Sequence, residues 1–181
     1  MPRFVVLLRG VNVGKANRML MADFKALLQG LGYTDVATVL NSGNAVFTSS
    51  GRSTSKHSER IAAALAESMG ISTSVVVKSS AELSAAMAAN PIPVPAQDHA
   101  KFLVAFANEH AALQGLSSLQ SLVKQPERLA VTQHAAYLHC AEGILKSRAA
   151  AAMLGKAGKA VTTRNWATAL QLLSLVACGA A

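Results

Sequence analysis

Residues 35–49 read DVATVLNSGNAVFTS. Two β-rich runs, DVATVL and NAVFTS, flank NSGN, and Ser-Gly between such runs signals a hairpin. A hairpin alone fits many folds, so its neighbours decide. Upstream, residues 3–9 (RFVVLLR) are an apolar run of strand length. After a loop comes MADFKALLQGLG (21–32), where Phe24, Leu27, Leu28 and Leu31 recur at helical spacing. Gly32 is a natural C-terminal stop. Downstream, Ile61, Leu65 and Met69 give residues 57–69 a helical period that ends at Gly70, and STSVVVK (72–78) is β-rich again. The order β-α-β-β-α-β is the split βαβ of a ferredoxin-like unit.

Beyond it, residues 80–90 make a short helix that stops before Pro91, and PIPVPAQD follows as a Pro-rich connector. A second, looser copy then begins. KFLVAFA (101–107) is a strand, 109–122 is helical or partly irregular, RLAVTQ and AAYLHC are paired strands, and 143–154 and 164–177 are helical. That half reads β-α-β-β-α-α. The expected fold class is therefore α/β (α+β), with two ferredoxin-like βαββα-type halves and a C-terminal helix. The expected division is 1–90, a connector at 91–100, and 101–181. No residue-level repeat supports the duplication, which rests on element order alone.

Hydrophobic residues make up 51% of the 181-residue chain and charged residues 14%, which suits a sizeable core. Aromatics are only 4%, so packing rests on Ala, Leu and Val. No apolar run reaches the roughly 18 residues of a membrane span. The first apolar run is followed by Arg9 and Asn12 instead of a cleavage site. A cytoplasmic protein with no membrane partner is expected. Cys140 and Cys178 give no disulfide framework, and His134, His139 and Cys140 lack zinc spacing, so no metal and no cofactor are expected. No paired carboxylates stand near a motif and no nucleophile–base set is visible, which leaves any catalysis unassigned.

Net charge is +8, and its distribution says more than its size. Residues 1–20 carry +4 and residues 143–181 carry +5, both without an acid, while the middle sums to −1. Such ends attract phosphates or acidic partners. The first lies in LLRGVNVGKANRM (7–19), where Arg9, Asn12, Lys15, Asn17 and Arg18 crowd the loop after the first strand. Gly10 and Gly14 permit tight turns whose N–H groups bind anions. GVNVGK is no nucleotide-triphosphate loop, because its glycines are one residue too close and Ala16 replaces the hydroxyl that binds metal. The second lies in TTRNWATALQLL (162–173). Thr162 or Thr163 is a good helix cap, which would put Arg164 in the first turn, followed by Asn165 and Trp166. A cation is unfavourable there unless an anion compensates it.

RGVNVG (9–14) and TRNW (163–166), within LLRGVNVGKANRMLMADFKALLQGLGYTDVATVLNSGNAVF and TTRNWATALQLLSL, resemble the bacterial family called domain of unknown function 1697. The resemblance runs from the start to the last helix. It implies an α/β domain of ferredoxin-like character and leaves function open. One departure concerns the loop: the family pattern often has another Gly after NVG, where this chain has Lys15 and then Ala16.

The expected function is binding of a small anionic, phosphate-bearing ligand in a basic pocket. Its residues are Arg9, Asn12, Lys15, Asn17, Arg18, Arg164, Asn165 and Trp166, with Ser42 and Asn44 of the hairpin turn ranked below them. Arg164→Ala is then expected to leave folding intact while abolishing anion binding. The alternatives are non-specific association with nucleic acid, disfavoured by the scarcity of aromatic residues, and a structural or interaction module without a ligand.

Overall fold

The computed structural model describes residues 1–177. The chain divides into two compact units, Met1–Leu83 together with the chain from Leu172 onward, and Ser84–Gln171.

In the first unit, β1 (Arg3–Leu8), α1 (Met21–Gly30), β2 (Thr34–Val39), β3 (Asn44–Thr48), α2 (Thr54–Met69) and β4 (Val75–Ser79) follow in order. The strands form one antiparallel sheet in the order β2-β3-β1-β4. Alternation along β1 sends Phe4, Val6 and Leu8 to one face. There they pack against Phe24 and Leu28 of α1 and Ile61 and Leu65 of α2. Those helix residues hold the spacings that put side chains on one stripe. The α2 helix starts where the Ser53 hydroxyl accepts from the Lys56 N–H at 3.3 Å, and it ends at Gly70, which is left-handed at φ +64°.

In the second unit the helix α3 (Ser80–Ala88), which crosses the division, leads to a 3₁₀ turn at Ala96–Lys101. Then come β5 (Phe102–Phe106), α4 (His110–Gly115), a 3₁₀ stretch at Leu116–Leu122, β6 (Arg128–Val131), β7 (Ala136–His139), α5 (Arg148–Leu154), β8 (Thr162–Asn165) and α6 (Trp166–Ala177), which also crosses the division, its residues from Leu172 onward belonging to the first unit. The sheet order β6-β7-β5-β8 repeats that of the first unit, shifted by four. Leu103 and Ala105 of β5 pack with Leu113, Leu116, Leu119, Ala150 and Met153. This core is rich in alanine, as the composition requires.

The second half corrects one expectation. TTRN is an edge strand, not a helix start, and it pairs with β5 from Phe106↔Thr162 to Leu103↔Asn165. The half is therefore βαββαβ with a helix after it. Helix α6 starts one residue past the strand because Asn165 Oδ1 accepts from the Thr168 N–H at 2.9 Å, three residues on. Asn165 is the cap, so Arg164 stands outside the first helical turn.

Candidate functional site

The loop after β1 is built by left-handed residues. Gly10, Asn12, Gly14 and Asn17 have φ between +50° and +65°, a region that Gly and Asn tolerate best. Asn12 fixes the coil. Its N–H donates to the Asn17 carbonyl at 3.1 Å, and its side-chain oxygen accepts from the Met19 N–H at 2.8 Å. Its side-chain amide donates to the carbonyls of Met19 and Asn41, each at 2.8 Å. The last bond reaches the β2–β3 turn. The Leu8 N–H also donates to the Gly43 carbonyl at 2.9 Å. Loop and hairpin turn are therefore hydrogen-bonded to each other, although the turn residues rank below the loop in the sequence reading.

Here the expected residues separate into two kinds. Asn12 and Asn17 serve the loop backbone. Asn44 is fully buried and donates to the Val39 carbonyl at 3.1 Å and to Ser42 Oγ at 2.9 Å, so this pair holds the hairpin turn. Arg9 is partly buried, which pulls its pKa below the usual arginine value, and its backbone is tied to Ser74 and Thr73. Lys15 and Arg18 are exposed, and the Arg18 guanidinium donates to the Gly14 carbonyl at 3.1 Å.

Arg18, Asn12 and Asn41 line a cleft of about 1000 Å³ that runs between α1 and α2. Its other walls are Met19, Leu20, Asp23, Ala26, Leu27, Gly30 and Leu31 on one side and Ala64, Glu67, Ser68 and Met69 on the other. Asp23, Ala26, Leu27, Gly30 and Leu31 share one face of α1 by their spacing. Leu20 of the lining is 70% exposed, and Val13 and Leu40, next in the chain to Asn12 and Asn41, are 68% and 59% exposed; Leu40 adopts φ +55°, costly for a side chain of its size. Asp23 and Glu67 were not singled out by sequence, whereas Asn41 belongs to the NSGN turn that was ranked below the loop. Asp23 reads as an ordinary acid in a first helical turn, and Glu67 lies far from the loop along the chain.

The second unit is built differently. Arg164 sits on β8 opposite Val104 and is only 9% exposed. Its Nη1 donates to Thr162 Oγ1 at 3.1 Å and to the Thr163 carbonyl at 2.8 Å, and burial pushes its pKa down to about 10. Trp166 meets the Phe102 ring edge-on, with centroids 5.3 Å apart. Phe102 stacks on His139, whose Nε2 lies 2.9 Å from Asp98 Oδ2. This His–Asp pair, 41 residues apart in sequence, had no local signal. Phe102 and Phe106, like Phe4 and Phe47 in the first unit, are at most 1% exposed, so these rings offer no stacking surface to a base. Among the described residues, no three His, Cys, Asp or Glu side chains converge as metal ligands, and Cys178 lies outside those residues. No described helix is long and apolar enough to cross a membrane.

The family described as a protein of unknown function (DUF1697) matches residues 1–137. The chain belongs to this family. The match takes in the whole β1–α1 loop, the hairpin and the cleft, while TRNW lies beyond it. The fold extends further than the match. The conserved bacterial protein SP0830 from Streptococcus pneumoniae is similar over 97% of this chain and 98% of its own, with a TM-score of 0.78 at 24% identity. At that identity the likeness is one of fold. No curated protein matches the chain.

Proposed function

We propose that this DUF1697 protein binds a small phosphate-bearing ligand in the cleft of its first unit, with Arg18 and Lys15 taking the anionic group. The observation that carries the proposal is an exposed guanidinium, anchored to the Gly14 carbonyl, at the edge of a cleft of about 1000 Å³. Clefts of that size suit small molecules, and an arginine fork suits phosphate or carboxylate. The loop beside it holds Gly10, Asn12, Gly14 and Asn17 at left-handed φ, the kind of backbone that anion-binding loops use. Arg164, Asn165 and Trp166 have strand, cap and packing duties of their own, so the proposal does not lean on them.

Titration of the protein with ethyl phosphate, followed by amide chemical shifts, tests this. Shifts should concentrate in residues 10–20 and 41–43, and Arg18→Gln should weaken binding about tenfold with an unchanged circular dichroism spectrum. No shifts at millimolar ligand, or binding indifferent to Arg18 and Lys15, overturns it.

A further inference from the structure

We infer that the ligand of this cleft is a zwitterion, an amino-bearing phosphate ester with a short aliphatic body. The inference rests on the phosphate proposal and deepens it. Arg18, Asp23 and Glu67 line the same cleft. The Asp98–Lys101 ion pair, at 3.7 Å, lies in the second unit and does not involve these residues. Neither Asp23 nor Glu67 makes an ion pair or a side-chain hydrogen bond, and Arg18 bonds only the Gly14 carbonyl. Charges of both signs thus face one cleft without neutralising each other.

A ligand carrying only negative charge would meet two carboxylates beyond the cations of the loop: Arg18, Asp23 and Glu67 of the lining sum to −1, and Lys15 stands outside that lining. Like charges at close range disfavour such a ligand, the more so as water is displaced and the local dielectric falls. An ammonium group reverses the sign of that interaction. The rest of the lining specifies the body between the two charges. Ala26, Leu27, Leu31, Ala64 and Met69 are aliphatic or thioether, and no aromatic ring lines the cleft. A nucleobase would find nothing to stack on, whereas a short alkyl linker would find apolar contact.

O-phosphoethanolamine and ethyl phosphate differ by the amine, so their affinities, measured by calorimetry, give the test. The wild type should bind O-phosphoethanolamine about tenfold tighter. The Asp23→Asn/Glu67→Gln double variant should bring the two ligands to within about twofold, with ethyl phosphate bound no worse than before. Glu67→Gln alone, an exposed change on α2, should give an intermediate ratio and guards against a folding defect in the double variant. Arg18→Gln should weaken both ligands. Equal or tighter binding of ethyl phosphate, still dependent on Arg18, overturns the zwitterion and leaves the phosphate site standing. A preference that survives removal of both carboxylates also overturns it. If neither ligand binds in an Arg18-dependent way, the phosphate site itself fails and the zwitterion with it.

Discussion

Arg164 shows how one residue changes meaning between sequence and fold. Read along the chain, it is a cation misplaced at a helix start. In the structure it is a buried strand residue whose guanidinium satisfies Thr162, itself fully buried, and the Thr163 carbonyl. Removing one partner of a buried hydrogen bond leaves the other to bear its desolvation cost, about 1–3 kcal/mol. Arg164→Ala should therefore lower the urea midpoint at constant m-value, the opposite of the sequence-based expectation. An unchanged midpoint would return Arg164 to the list of ligand residues. Cys140 allows a pH test. Burial pushes its thiol up to about 11 from an ordinary 9.0, against a smaller opposing pull from Ser147. A raised folded-state pKa means the folded protein holds the proton more tightly. The stability it contributes is complete below about pH 9 and is lost as pH rises through about 11. Unfolding free energies measured from pH 8 to 11 should fall faster in wild type than in Cys140→Ala, and parallel curves would refute the assignment. The buried tyrosines Tyr33 and Tyr137 also titrate at the alkaline end, but they are common to both proteins and cancel in the difference.

Strands and helices with an apolar period were legible because burial imposes it. Alternation in β1 and the i, i+3, i+4 spacing in α1 survive without any knowledge of partners. The β8 strand was missed because its residues, Thr-Thr-Arg-Asn, carry no apolar alternation, and its pairing with β5 is set some sixty residues away along the chain. The candidate site was half legible for a related reason. The loop announced its own cations, but the Asn12–Asn41 bond spans 29 residues, and the acids of the cleft come from two helices. Nothing local marks such contacts. The hairpin turn gives a direct test of how tightly it is joined to β1. Gly43 is left-handed at φ +76°, and a Cβ there would lie 2.8 Å from the Cβ of Leu8, a buried strand residue with no room to move. Gly43→Ala should cost about 1–3 kcal/mol from overpacking in addition to backbone strain. Gly14→Ala, also at positive φ but with no atom within 4 Å, should cost only the strain, about 1 kcal/mol. Equal midpoints in thermal unfolding would mean that the turn and β1 are free to separate.

Each unit repeats one strand order, and net charge separates from that repeat. Of the nine cations in the acid-free terminal segments, Arg3 and Arg9 are partly buried and Arg164 is buried, which leaves Lys15, Arg18, Lys146, Arg148, Lys156 and Lys159 exposed. A net charge of +8 will draw any polyanion weakly, so binding of nucleic acid at low salt would not by itself establish a role. The salt dependence discriminates. A protein that covers six to ten phosphates of a duplex releases their counterions and loses about 10³–10⁵ in affinity between 50 and 200 mM salt. One phosphate held by Arg18 and Lys15 involves few counterions, and partial screening should cost it no more than about threefold over that range. Affinities for ethyl phosphate and for a short DNA duplex, measured across the same salt series, should therefore diverge, with the duplex lost by physiological salt and the ester retained. A duplex that stays bound at micromolar affinity at 200 mM would make the exposed lysines a nucleic-acid surface, and Lys15→Ala should then reduce the salt slope by about one.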